Sequence, residues 1–218
     1  MTGTANTSAP EASDLAFVAE WLAQQFLAAP DAERLEAMRS MQGQVALHWI
    51  GDMLDQPLAA QAICLDLAGA AAADVSVSLQ RRYTALFEGI FRQRGAPPYA
   101  SVWDGTGRLF GPAVERMQIL LRDLDVHLAP DCKEPADHVA IELVALAEAL
   151  RQDRPQIIEA LLAEMRSWTE RFTAALISAD GNGFYGNAGR LLTALLNKVA
   201  LDRPMAVTQD MAATAATI

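Results

Sequence analysis

The side chains best suited to chemistry gather in one short segment, Glu134-Pro135-Ala136-Asp137-His138, with Glu142 four residues past the imidazole. A carboxylate beside an imidazole is the pair on which general acid–base catalysis is built, and His138 and Glu142 at i, i+4 on a helix share a face as two metal ligands would. Neither chemistry is completed elsewhere. A hydrolytic dyad needs a nucleophile, and Ser101 has nothing like GxSxG around it. A metal site needs more ligands than His48, His127 and His138 supply without a second HxxxE or HExxH, and Cys64 and Cys132 lie far apart with no CxxC spacing. Gly181-Asn182-Gly183 lacks the GxxxxGK[ST] pattern and follows no strand, so it reads as an interhelical turn. The residues thus predict no catalytic group, no metal and no cofactor. The alternative is a small helical enzyme or a cofactor- or metal-binding protein using Asp137, His138 and Glu142.

Recognition chemistry is better supplied. Leu79, Tyr83, Leu86, Phe87 and Ile90 fall on one stripe of a helix, and the chain then enters a proline-stiffened loop bearing Pro97, Pro98, Tyr99 and Trp103. Such a stripe is ordinarily core. Its continuation into rigid aromatic groups beside prolines suits a peptide-binding groove, because these side chains give contact area with little entropy loss. If Pro135 is the first residue of the next helix, Asp137 sits in its first turn, where the helix dipole favours a carboxylate by roughly 0.5–1 kcal/mol.

The elements that must position these groups are helical, since apolar residues recur at three and four positions and strand-like alternation with hairpin dipeptides is missing. The spacing predicts helices over Asp14 to Ala28, with Ser13 as cap, and from Asp31 toward Met41. Further helices are predicted over Gln44 to Leu54, Leu58 to Ala73, and from Asp74 through the aromatic stripe. Punctuation from Arg94 to Pro112 marks the longest internal loop, and helices resume over Ala113 to Asp123, Pro135 to Arg151, Pro155 to Ser178 and Ala188 to Leu201. The fold class is all-α. Flexible ends are expected over residues 1–13 and 204–218, flanking a domain at 14–203 whose lobes, about 14–92 and 113–203, are joined by loop 93–112.

Composition narrows the partners. The 218 residues are 52% hydrophobic, enough for a sizeable core, and the net charge of −10 argues against nucleic acid, which needs concentrated lysine and arginine. Residues 1–13 carry neither a basic residue nor an apolar run, and the apolar stretches elsewhere are broken short of the roughly 20 residues of a membrane span. The expectation is a cytoplasmic protein with reduced thiols and no membrane insertion. Arg81-Arg82-Tyr83-Thr84-Ala85-Leu86-Phe87 looks like an export motif but lies mid-chain, so it reads as an exposed basic edge. Trp21, Trp49 and Trp168 fall in helical patterns and read as core.

Taken in order, Tyr83-Thr84-Ala85-Leu86-Phe87-Glu88-Gly89, Pro97-Pro98-Tyr99-Ala100-Ser101-Val102-Trp103 and Glu134-Pro135-Ala136-Asp137-His138 resemble the TorD/DmsD/NarJ-like chaperones that mature bacterial molybdenum redox enzymes. The resemblance runs from about Leu79 to Leu150. It implies an all-helical, two-lobed chaperone, a monomer or domain-swapped homodimer, with no enzymatic activity. Its partner would be the twin-arginine signal peptide on the apo form of a molybdopterin-containing oxidoreductase, held back from export until its cofactor is inserted. Carried over residue by residue, the signal-peptide surface falls on Tyr83, Leu86, Phe87, Pro98, Tyr99 and Trp103, and the acidic-histidine motif on Glu134, Pro135, Asp137 and His138. A departure is Ala100, where many relatives are acidic. Arginine pairing with Asp137 and Glu134 beside an apolar groove is the expected mode of capture.

Overall fold

The computed structural model describes residues 11–88, 95–104, 107–130 and 132–201. Among them are ten α-helices: α1 Ala12–Leu27, α2 Ala32–Arg39, α3 Met41–Met53, α4 Pro57–Ala68, α5 Ala72–Tyr83, α6 Ala100–Trp103, α7 Pro112–Asp123, α8 Val139–Arg151, α9 Pro155–Asp180 and α10 Phe184–Leu201. A π-helical turn, Thr84–Glu88, continues α5. Among the described residues the extended pairing consists of one antiparallel bridge, Tyr99 opposite His138, so the all-α class is observed. Of the ends expected to be flexible, residues 1–10 and 204–218 lie outside the described residues, as do Ile90 of the aromatic stripe and the rest of 89–94.

Local chemistry explains the helix boundaries. Helix α1 begins at Ala12, two residues earlier than the spacing predicts, because the Asp14 carboxylate accepts from the Glu11 N–H. The Asp31 and Ser40 side chains cap α2 and α3 through the Arg34 and Gly43 N–H groups. Gly43 lies in the first turn of α3, where a Cβ would lie 2.1 Å from the Ala37 carbonyl oxygen. Pro57, Pro112 and Pro155 each open a helix, where a missing N–H costs nothing. Helices α3, α7 and α8 are each followed by a left-handed aspartate, Asp55, Asp125 and Asp153. In each, the next N–H returns to a carbonyl five residues back: Gln56 to Gly51, Val126 to Leu121, Arg154 to Ala149.

One continuous core runs through the molecule. Helix α1, from the first expected lobe, packs most extensively along α8 of the second, and α10 packs on α9 and α4. Phe26, Tyr83, Phe87, Phe172 and Tyr185 form edge-on aromatic contacts at its centre, with Trp168 beside them on Phe172.

Two expectations are corrected here. Trp49 is not core: it is 40% exposed and stands edge-on to Phe17, itself 47% exposed, on the α1–α3 surface. Arg82 is no free basic edge: its guanidinium holds Asp180 through three bonds at 2.8–2.9 Å from Nε and Nη2 and holds Asp66 at 2.7 Å. Those carboxylates also accept the Gly186 and Phe184 N–H groups, so one arginine ties α4 and α5 to the α9–α10 turn.

Candidate functional site

The two motif-bearing segments meet. The Val139 N–H donates to the Pro98 carbonyl at 2.9 Å and the Ala100 N–H to the Asp137 carbonyl at 3.0 Å, so residues 98–100 and 137–139 pair as a two-residue ribbon. Inside it, the Asp137 Oδ2 accepts the Ser101 N–H at 2.8 Å and the Ser101 hydroxyl, whose oxygen in turn accepts the Gly111 N–H at 2.9 Å. The Tyr99 ring stands edge-on to His138, 5.0 Å between centroids, and its hydroxyl donates to the Glu134 Oε2 at 2.7 Å.

This pairing corrects the expected start of α8. Pro135 is not the first helical residue; residues 135–137 form a turn, and the helix begins at Val139 with His138 as its cap, Nδ1 accepting the Ala140 N–H at 3.0 Å. The backbone of Asp137 and Val139 is taken up by residues 98–100, which delays helix entry. His138 is thus the cap of α8 rather than a residue within it, its carbonyl accepting the Glu142 N–H at 3.1 Å. Glu142 turns inward, accepting the Trp168 indole N–H at 3.2 Å. Burial, reinforced by the nearby Asp137 carboxylate, raises its pKa well above the usual carboxylate range. Burial likewise depresses His138 to about 4 and keeps it neutral. Among the described residues no three His, Cys, Asp or Glu side chains converge to hold a metal ion.

Most of the residues carried over from the resemblance face inward. Asp137 is 0% exposed, and its Oδ1 has no hydrogen-bond partner. Tyr83, Leu86, Phe87, Pro98 and His138 are buried, while Tyr99, Trp103, Glu134 and Pro135 are half-buried. Tyr83 donates from its hydroxyl to the Phe26 and Leu27 carbonyls at 2.9 and 2.8 Å, satisfying the end of α1. Trp103 donates to the Pro97 carbonyl at 2.7 Å and contacts Phe172 edge-on. The Asp137 carboxylate thus supports the ribbon and offers no surface to an arginine.

An open cavity of about 730 Å³ lies alongside the ribbon. Its floor and walls are apolar: Ala23 and Leu27 of α1, Leu121 of α7, Val126 and Leu128 of the following loop, and Ala140, Ile141 and Val144 of α8. Among the described residues its ionisable rim is Glu20, Lys133 and Glu134, with the exposed thiol of Cys132 between. Of the ten residues assigned by resemblance, Glu134 lines this groove. A sequence signal for the rest existed: α8 carries apolar residues at nearly every position from Val139 to Ala147, more than one core-facing stripe requires. The surplus faces the groove, where Val144 is 42% exposed.

Comparison with known proteins gives three findings. The family model described as nitrate reductase delta subunit matches residues 52–178. Proteins described as chaperone protein TorD from Salmonella agona (strain SL483) and Salmonella typhi are each 29% identical over 194 residues, covering 83% of this chain and 87% of theirs. A crystal structure described as a redox enzyme maturation protein from Archaeoglobus fulgidus superposes with a TM-score of 0.53 at 20% identity, over 90% of this chain and 96% of that one, and so shares the fold.

Proposed function

Since this chain belongs to the nitrate reductase delta subunit family, we propose that it is a non-enzymatic chaperone for molybdoenzyme maturation. It acts in the cytoplasm, holding the apo form of a molybdopterin-containing oxidoreductase by its twin-arginine signal peptide while the cofactor is inserted. The observation that carries this reading is the groove: an open, apolar trough beside the Tyr99–His138 ribbon, with Glu134 on its rim. A twin-arginine leader presents guanidinium groups followed by an apolar run. The run buries on Leu27, Leu128, Ile141 and Val144, contributing about 25 cal/mol per Å² before the ordering cost of a flexible peptide is subtracted. The carboxylate rim and the net charge of −10 favour the cationic end. No helix among the described residues is long and apolar enough to cross a membrane, which agrees with a chaperone that meets its client before export.

The chain supplies its own reporter. Cys132 is exposed on the groove, whereas Cys64 is buried and its thiol pKa is raised by desolvation, so an environment-sensitive maleimide labels Cys132 selectively. Titration with synthetic twin-arginine leaders of molybdopterin oxidoreductases encoded beside this gene should give a saturable blue shift. Val144→Glu, at a half-exposed position, should abolish it without lowering the unfolding midpoint. No saturable response to any leader, with none by calorimetry on unlabelled protein, rejects the reading.

A further inference from the structure

A second apolar surface lies on the other flank of α1. Met41, Val45 and Trp49 follow one another at i, i+4 and i+8 along α3, about 12 Å of one helix face, and Met41 and Val45 are 83 and 64% exposed. Phe17 extends the row onto α1. Beside it, between α1, α2 and α3, a cavity of about 200 Å³ opens among Phe17, Trp21, Met38 and Leu47. Such a row leaves contiguous apolar surface in water, which a helix with only a core to face does not require.

The charge lining that cavity is Arg34 of α2, which is half-buried. Its Nη2 donates to the Gln24 carbonyl at 2.8 Å and to the Gln25 Oε1 at 3.2 Å, both neutral acceptors. Gln25 is 1% exposed and donates in turn to the Trp21 carbonyl at 2.7 Å. Among the described residues no salt bridge reaches the guanidinium: Asp31 uses its Oδ1 to accept the Arg34 backbone N–H as the cap of α2. Desolvation is the first influence on Arg34 and lowers its pKa, with the Asp31 charge opposing. A chain of net charge −10 thus leaves one partly desolvated cation unpaired inside an apolar cavity.

We propose that the α1–α3 face is a docking site for an amphipathic helix of a partner protein, one that sets bulky aliphatic side chains on Phe17, Val45 and Trp49 and a carboxylate on Arg34. The α3 row suits an incoming helix because side chains at i, i+4 and i+8 form the ridge that enters the groove of a packed neighbour. Arg34 suits a carboxylate because its two bonds to α1 already hold the guanidinium fork in place, so little side-chain freedom is lost on pairing. The occupant is opposite in sign to the leader assigned to the larger groove, where Glu20 and Glu134 favour a cation. Gln24 lines both cavities, so the two sites share one wall of α1.

The test is fluorescence anisotropy on the full chain with two labelled amphipathic peptides, each with leucines at every third and fourth position in an alanine–glutamine background. One carries glutamate beside the central leucine and the other glutamine. The glutamate peptide should bind about tenfold more tightly, the worth of one charge-assisted bond. Arg34→Gln should erase that preference, and Arg34→Lys, which keeps the charge without the fork, should retain part of it. Val45→Glu, at an exposed position, should weaken both peptides by more than about tenfold with the unfolding midpoint unmoved, because it places a charge in the apolar contact. Val144→Glu, in the larger groove, should change neither. Wild-type protein that binds the two peptides equally overturns the role of Arg34, whatever the variants do. Binding of neither peptide, or loss of both in Val144→Glu, overturns the site. Sedimentation over a range of concentrations supplies the last arm: self-association of wild type that Val45→Glu abolishes makes the occupant a second copy of this chain and overturns the partner-helix assignment.

Discussion

Replacing Asp137 by alanine separates support from contact. The carboxylate is fully buried, and Ser101, nearly so, directs two donors at it, its N–H at 2.8 Å and its hydroxyl. Removing the acceptor strands both, at about 1–3 kcal/mol each. Opposing this, the variant no longer buries a carboxylate whose Oδ1 is unpartnered, which recovers part of a desolvation penalty of similar size. Two stranded donors outweigh one relieved oxygen, so Asp137→Ala should lose about 2–3 kcal/mol, a large share of the roughly 5–15 kcal/mol that holds a domain folded. Asp137→Asn keeps an acceptor for Ser101 and loses the charge, so its stability should stay within about 1 kcal/mol of wild type. Urea denaturation followed by circular dichroism at pH 7 gives both values, and a Ser101→Ala/Asp137→Ala double variant should be less destabilised than the sum of its parents. The asparagine variant should bind leader peptide as wild type does, because nothing of residue 137 reaches the groove. An alanine variant within about 0.5 kcal/mol of wild type, or a stable asparagine variant with tenfold weaker binding, would refute the reasoning.

Two further outcomes follow from buried groups. The Glu142 pKa is raised in the folded protein, so the unfolded chain sheds this proton first as pH rises past about 4.5; the contribution of Glu142 to stability should fall with increasing pH, at a slope of up to about 1.4 kcal/mol per unit, and the stability of Glu142→Gln relative to wild type should measure it, level near pH 4 and rising in the variant's favour above it. His138 has the opposite sign, since its pKa falls from 6.5 to about 4: its own contribution should decline by about 3 kcal/mol as pH drops through that window, partly offset in wild type by Glu142, and is read as the pH-dependent difference between wild type and His138→Asn, which can still cap α8. At the α9–α10 turn, a Cβ on Gly183 would sit 1.6 Å from the Arg82 Nη2; Gly183→Ala should therefore break the Asp66–Arg82–Asp180 bridge and cost about 2–4 kcal/mol, read as a drop of several degrees in the melting midpoint.

The helices were legible because their signals are local: Asp31 as cap, Pro155 as first residue, and a glycine-rich break between α9 and α10. What escaped depends on partners distant in sequence. Pro135 satisfies every local rule for opening a helix, yet α8 starts at Val139 because the extended residues Pro98 to Ala100 take the intervening backbone groups. Arg82 sits on the polar side of an amphipathic helix, and its partners Asp66 and Asp180 lie 16 and 98 residues away. Trp49 follows a helical period but faces Phe17 at the surface. The groove was least legible: its walls come from α1, α7, α8 and the loop before α8, and periodicity reports that a helix has an apolar face without reporting whether a neighbour covers it.

That difference changes what the acidic-histidine motif is for. The Asp137 Oδ2 bonds Ser101, the His138 Nδ1 bonds the first turn of α8, and Tyr83 spends its hydroxyl on the end of α1. These bonds fix the ribbon and the two helices that flank the groove. Glu134, three residues before Asp137, inherits the rigidity without the burial and so keeps an oxygen for a ligand. Variants inside the motif should therefore divide by position: at Asp137 and His138 the measurable loss is in folding stability, with binding lost only as the ribbon opens, and at Glu134 it is in arginine-dependent affinity, with the unfolding midpoint unmoved. A Glu134→Gln protein whose midpoint falls as far as that of Asp137→Ala breaks the division, because Glu134 would then belong to the support and the cation would have to be met elsewhere on the rim.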